Sequence, residues 1–210
     1  MKQTQHYKLT DLTADQLQTI ARALTGGACA VVATDTVYGL ATGAGCEDTI
    51  RHICTLKNRP FTQPFQLLVP DTDTAYQLAQ FSPAARRLAD TYWPGALTLI
   101  LPPTRAGKPL LRASTGLGLR VPDFAPLARL LKAVNGPLAC TSANVHGQAP
   151  ITQEDGLADQ FNGQVDFMLT AGTLSPVASC VIDFTQPIPQ LLREGKITKI
   201  ELAHVSGISF

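Results

Sequence analysis

Thr34, Thr36 and Tyr38 alternate directly after an apolar run at residues 28–33. In extended backbone that spacing sends all three side chains to one face. Lys57 and Arg59 close the next helical segment, just before Pro60. Arginine can grip a carboxylate or phosphate with two parallel N–H bonds, and lysine adds a point charge. Thr141, Ser142 and Asn144 follow a short apolar strand, with Gly147 close behind. Polar side chains and free backbone N–H groups at such a strand end can cradle phosphate oxygens. Arg120 lies between Leu119 and Val121, and Ser179 and Arg193 belong to the last two strand-like runs. Holding anions against one another is the chemistry that these residue types suit.

Each pattern also has a plainer reading. The alternating hydroxyls can be turn residues, the two cations can complement a helix dipole, and the 141–144 stretch can be an ordinary turn. An arginine inside a strand either points to solvent or meets an anion in a cleft. The chain has no G-x-x-x-x-G-K-[ST] loop, no G-x-G-x-x-G, no G-x-S-x-G elbow, no H-E-x-x-H pair and no EF-hand loop. His6, His52, His146 and His204 are scattered and read as surface or structural residues.

The elements that must position these residues alternate between two periods. Thr13 or Asp15 can cap a helix carrying Leu17, Ile20, Ala21 and Leu24, which Gly26-Gly27 stops. The strand at 28–33 and a loop at 34–40 lead to a helix opened by Glu47-Asp48. Strands are predicted at 66–69, 97–101, 117–121, 138–141, 165–169, 178–184 and 190–193. Helices are predicted from Asp73, from Ser82-Pro83, over 126–134, and from a Thr152 cap to about Phe161. Residues 203–210 read as a loose tail. With no helix between 97–101 and 117–121, or between the last two strands, some pairing must be antiparallel. The expected fold is therefore α/β: an open, twisted sheet of mixed parallel and antiparallel strands, flanked by helices.

With 210 residues and 45% apolar content, one domain over 1–210 is expected, with its core at about 10–202. A net charge of +1 leaves no global footprint for nucleic acid or membrane. Five cysteines without a C-x-x-C pair read as reduced core residues of a cytoplasmic protein. The polar residues 1–10 lack the apolar stretch of a secretory signal, and no run approaches the ~20 residues of a membrane span.

Six pieces, in this order, resemble the YrdC-type L-threonylcarbamoyladenylate synthase family. They are Thr34-Asp35-Thr36-Val37-Tyr38-Gly39-Leu40, Lys57-Asn58-Arg59-Pro60, Trp93-Pro94-Gly95-Ala96-Leu97-Thr98, Gly118-Leu119-Arg120-Val121-Pro122, Thr141-Ser142-Ala143-Asn144 with Gly147, and Leu192-Arg193-Glu194-Gly195. The family pattern of K-x-R followed by S-x-N is present as Lys57/Arg59 and Ser142/Asn144. A sister group with the same fold lacks the S-x-N. The chain departs from the pattern with Ala33 where proline is usual, with no histidine after Pro64, and with Cys180 where a threonine is usual.

The resemblance implies a YrdC-like concave active-site cleft and a nucleotidyltransferase. It would convert L-threonine, bicarbonate and ATP to threonylcarbamoyl-adenylate and pyrophosphate, for modification of the adenosine beside the anticodon in certain tRNAs. It assigns Thr34, Thr36, Tyr38, Arg120 and Ser179 to threonine and bicarbonate. Lys57, Arg59, Thr141, Ser142, Asn144 and Arg193 are assigned to ATP, with Lys57, Arg59, Ser142 and Asn144 as the catalytic set. It implies Mg²⁺ carried mainly by phosphates and water, no protein metal site, and downstream threonylcarbamoyl-transferase proteins as partners. Two other readings stay open: an RNA-binding module of the same fold, with weak tRNA contact, and a carbamoyl or acyl transferase acting on a related adenylate.

Overall fold

A computed structural model of the protein describes residues 3–112 and 114–210. In chain order its elements are β1 (Gln5–Lys8), α1 (Ala14–Thr25), β2 (Ala30–Val32), β3 (Gly39–Gly43), α2 (Glu47–Leu56), β4 (Gln66–Leu68), α3 (Thr72–Leu78), α4 (Pro83–Tyr92) and β5 (Leu97–Leu101). Then follow β6 (Leu117–Arg120), α5 (Ala125–Val134), β7 (Leu138–Ser142), α6 (Glu154–Phe161), β8 (Phe167–Thr170), β9 (Cys180–Asp183), β10 (Gln190–Arg193) and α7 (Lys199–Ser206).

All ten strands form one sheet in the order β1-β8-β2-β3-β7-β4-β6-β5-β9-β10. The pairs β1–β8, β2–β8, β4–β6 and β5–β9 are parallel. The pairs β2–β3, β3–β7, β4–β7, β5–β6 and β9–β10 are antiparallel. The sheet is open and mixed, as the connections without helices require. Helix α1 packs on α5, and α4 on α7. Among the described residues no helix is long and apolar enough to cross a membrane.

The alternative caps of α1 are decided by geometry. Thr13 accepts from the Gln16 N–H and Gln16 answers to the Thr13 N–H, a capping box that Asp15 does not share. One strand was not foreseen and three expectations are corrected. Residues 5–8 form a strand, because they can pair in parallel with β8 at the sheet edge. The segment 39–43 is a strand despite its two glycines. A Cβ at Gly39 would lie 2.4 Å from Cys140 Sγ, and one at Gly43 2.8 Å from Leu24 O, so close approach excludes larger residues there. Helix α6 begins one residue later than expected and its Gln153 cap makes no side-chain bond. The C-terminal residues are not a loose tail: α7 has a Thr198/Glu201 capping box, buries Leu202 and Ser206, and stops at Gly207 with φ of 68°. The buried apolar residues of the core run from Leu9 to Leu202, and Ser206 of α7 is also only 1% exposed. All five cysteines are reduced, four of them buried.

Candidate active site

Strand alternation builds a cleft of about 530 Å³ on one face of the sheet. Along β9 and the residue before it, Ser179, Val181 and Asp183 face the cleft while Cys180 and Ile182 are fully buried behind. Thr98 and Ile100 of β5, Gly118 and Arg120 of β6, and Gln66 of β4 do the same. Cys180 therefore lies outside the site, with its Sγ donating to Ile197 O.

The Lys57–Arg59 turn is a helix C-terminus of a defined kind. Asn58 has φ of 49°, its N–H reaches Thr55 O, and the Arg59 N–H reaches Cys54 O. Those two bonds are the Schellman arrangement, which needs one left-handed residue, and asparagine tolerates that conformation better than most. The turn sends the two cations in different directions.

Arg59 enters the cleft. Its Nη1 donates to Thr141 Oγ1 at 2.8 Å, its Nη2 to Gln63 O at 2.6 Å and Pro64 O at 3.2 Å, and its guanidinium lies 4.7 Å from the Phe65 ring centroid. Nε–H is buried and has no partner. A guanidinium fixed this firmly with an unpaired donor is poised for an anionic ligand. Burial lowers its pKa.

Lys57 does not reach the cleft, which corrects its expected role as a point charge for phosphate. It is 2% exposed, and its ammonium donates to Ser142 O, to Asn144 O at 2.7 Å and to Asn144 Oδ1 at 3.0 Å. All three N–H groups are thereby used. Burial, then the nearby Arg59 guanidinium, lowers its pKa to about 8. Asn144 is also turned inward: its Oδ1 accepts from Ser142 Oγ at 2.5 Å and its Nδ2 donates to Val145 O and Gln148 O. The S-x-N loop is thus shaped from behind by Lys57 and Asn144, while Thr141 and Ser142 line the cleft.

Arg120 is 1% exposed and meets the Thr34–Tyr38 stretch. Its Nε donates to Gly95 O at 3.0 Å, Nη1 to Thr36 Oγ1 at 2.9 Å, and Nη2 to Asp35 Oδ1 at 2.6 Å. One N–H on each of Nη1 and Nη2 stays free for a ligand. Thr34 Oγ1 lies 3.0 Å from Thr36 Oγ1 and donates to Val37 O. Tyr38 lines the cleft with its ring, while its hydroxyl donates to Gly172 O at 2.5 Å and accepts from the Ala171 N–H. Burial raises its pKa, and with its one hydrogen spent on Gly172 O it presents a ring wall to the cleft.

A bulge aims Arg193. Gln190 pairs with Asp183 and Leu191 with Ile182, but Arg193 pairs with Val181, so one residue is extra. In unbroken register Arg193 would oppose Cys180 and point away from the cleft. The bulge turns it inward, where Nε donates to Ser179 O at 2.9 Å and Nη2 to Ser179 Oγ at 3.0 Å. Burial, then the Arg120 charge, lowers its pKa. Three guanidiniums, from Arg59, Arg120 and Arg193, converge on one cleft.

The sequence reading missed Gln66, Thr98 and Asp35. Thr98 lies in the quoted Trp93–Thr98 motif, and its alternation with Leu97 and Leu99 was the available signal. Cys140 also lines the cleft, but complete burial pushes its thiol up to about 12, which removes it as a nucleophile. Among the described residues no three His, Cys, Asp or Glu side chains gather as a metal site.

The fold and the cleft define an open α/β protein that gathers three guanidiniums and several hydroxyls on one face of its sheet. The chain belongs to the Sua5/YciO/YrdC family, whose model, described as "Telomere recombination", matches residues 22–195. A Mycobacterium leprae relative is 33% identical over 205 residues, covering 94% of this chain and 91% of its own length. The Bacillus subtilis threonylcarbamoyl-AMP synthase is 35% identical over 179 residues, covering 83% of this chain and 51% of its own. The structure of Pyrococcus abyssi Sua5 complexed with L-threonine superposes with a TM-score of 0.84 and 27% identity, over 98% of this chain and 60% of that one. The chain spans only about half the length of the B. subtilis relative.

Proposed function

We propose that the protein is an L-threonylcarbamoyladenylate synthase, acting on L-threonine, bicarbonate and ATP in the pathway to threonylcarbamoyl-modified tRNA. The observation that carries this reading is the convergence of Arg59, Arg120 and Arg193 on a cleft that also holds the hydroxyls of Thr34, Thr141, Ser142 and Ser179. Curated relatives with this activity support the choice of substrates.

The reaction needs no covalent enzyme intermediate. The threonine amine, as the free base, forms a C–N bond to the carbon of bicarbonate, and its N–H proton leaves with the bicarbonate hydroxyl as water. A carbamate oxygen then attacks the α-phosphorus of ATP, and the bond to the bridging oxygen breaks, so that pyrophosphate leaves with the electron pair. The barrier lies in bringing two anions together and in the charge that moves onto pyrophosphate. Fixed guanidiniums offset both, and correct positioning alone can supply on the order of 7–11 kcal/mol. In this reading Arg59 with the 141–142 backbone and hydroxyls holds the triphosphate, Arg120 holds a carboxylate, and Lys57 shapes the loop. Mg²⁺ would travel with the nucleotide on phosphates and water. It would supply further charge neutralisation; Asp183, which lines the cleft, already accepts from the Thr185 N–H, and Asp35 behind it is engaged by Arg120.

The test is pyrophosphate release with each substrate omitted in turn. Release that needs threonine and bicarbonate together supports the assignment. Release with ATP alone, or release undiminished when bicarbonate is left out, overturns it.

A further inference from the structure

A directional chain of hydrogen bonds crosses the cleft floor. Thr98 Oγ1 donates to Gln66 Oε1 at 3.0 Å, which uses its one hydroxyl hydrogen. Across the 3.0 Å contact between Thr98 Oγ1 and Ser179 Oγ, serine is then the donor. Arg193 Nη2 donates to Ser179 Oγ at 3.0 Å. The donors run one way, from Arg193 through Ser179 and Thr98 to the Gln66 carbonyl oxygen. Thr98 is 3% and Ser179 1% exposed, so neither hydroxyl can relax into bulk water.

We propose that Gln66 is a positioning residue that sets this direction, and so makes Ser179 a hydrogen-bond acceptor toward the ligand in the cleft. Ser179's only hydrogen is turned toward Thr98, and Arg193 takes one of its lone pairs. The remaining lone pair selects an N–H or O–H donor. An amine-bearing substrate supplies such a donor, whereas a carboxylate or phosphate oxygen does not. This assignment rests on the amino-acid substrate of the proposed function. Anions are thereby directed to the guanidiniums and the amine end to Ser179.

Gln66→Leu removes the terminal acceptor. Thr98 then turns its hydrogen toward Ser179, and Ser179 presents a donor to the ligand. Gln66→His is the discriminating variant: a neutral imidazole nitrogen can accept from Thr98, but the protonated ring only donates and reverses the chain. Calorimetric titration with L-threonine is expected to give a loss of affinity on the order of five- to tenfold in Gln66→Leu. In Gln66→His affinity should be near wild type well above the ordinary histidine pKa of about 6.5 and similarly reduced well below it. The wild type should not change across the part of that range below the Lys57 titration near 8. Equal affinity in Gln66→Leu and wild type, or a pH-independent Gln66→His, overturns the proposal.

A ligand-free measurement separates this inference from the substrate reading. The imidazole introduced by Gln66→His, followed by NMR, should titrate lower with Thr98 present than in a Thr98→Val background, because the Thr98 donor favours the neutral ring. The same titration in both backgrounds also overturns the relay. If wild type binds no threonine and releases no pyrophosphate, the substrate reading falls, and the imidazole titration still decides the direction of the chain.

Discussion

Lys57 and Asn144, 87 positions apart, are joined twice: Nζ donates to the asparagine main-chain oxygen at 2.7 Å and to its Oδ1 at 3.0 Å. A third bond to Ser142 O completes the ammonium, and the Lys57 carbonyl accepts from the His146 N–H at 2.8 Å. The helix end that supplies K-x-R and the loop that supplies S-x-N are therefore one hydrogen-bonded unit. This explains why the two motifs belong together without requiring both lysine and asparagine to touch substrate.

Burying that ammonium has a pH consequence. Lys57 titrates near 8 in the folded chain, against an ordinary lysine value of 10.5. Between those values the unfolded chain holds a proton that the folded chain has released, so this group makes stability rise with pH across that window. The full depression is worth roughly 3 kcal/mol. Denaturant melts of wild type and Lys57→Met should therefore diverge in favour of wild type as pH rises from about 8 to 10.5, while their difference stays constant below it. Activity should move oppositely, because a neutral amine keeps only two N–H groups for three acceptors and loosens the loop. A pH-independent difference between the two proteins contradicts the buried ammonium.

Asn58 offers a test of the turn that separates the two cations. Its φ of 49° suits glycine and asparagine and penalises a β-branched residue. Asn58→Gly should stay within about 0.5 kcal/mol of wild type, and Asn58→Val should lose roughly 1–2 kcal/mol. Pyrophosphate formation should fall in the valine variant alone, since Arg59 is aimed by this turn. Equal melts for the two variants would remove the backbone argument.

The legible part of this site was the part carried by residue type. Arginines and hydroxyls at strand and helix ends pointed to the right segments, and nearly all of them converge on one cleft. What sequence could not give was direction. Lys57 and Arg59 are two residues apart, yet the left-handed Asn58 sends one behind the loop and the other into the cleft. Arg193 faces the cleft only because of a bulge that no local pattern announces. The fold was read with similar limits: alternating apolar runs located most strands, but β3 is glycine-rich because of close contacts made by distant residues, and β1 exists only through pairing with β8. Helix α7 was findable, since Thr198 and Glu201 have capping-box spacing, although exposed Ile200 blurs its apolar stripe.

Asp35 should matter for stability as well as for the site. Its carboxylate is 2.6 Å from Arg120 Nη2, and the two side chains are 11% and 2% exposed. Asp35→Ala leaves a buried guanidinium without its counter-charge, at a cost of about 3 kcal/mol. Asp35→Ala combined with Arg120→Met should recover part of that loss, because the orphaned charge is gone, and should recover no activity. Chemical denaturation of the three proteins measures this, and a double variant no more stable than Asp35→Ala would count against an uncompensated charge as the cause.

Arg59 is the residue whose replacement by lysine should be least conservative. The guanidinium reaches Thr141 Oγ1, Gln63 O and Pro64 O while stacking near Phe65, and still keeps a buried Nε–H without a partner. A lysine ammonium has three donors at one point and no planar fork, so it can satisfy the carbonyls at 63–64 or face the ligand, but not both. Arg59→Lys should keep the fold, with a melting transition close to wild type, and lose on the order of 10²–10³ in the rate of pyrophosphate formation. Arg59→Ala should lose as much or more. A lysine variant with near wild-type turnover would mean that only a positive charge is needed at this position, and that the forked geometry and the unpaired Nε–H have no part in holding the transferred charge.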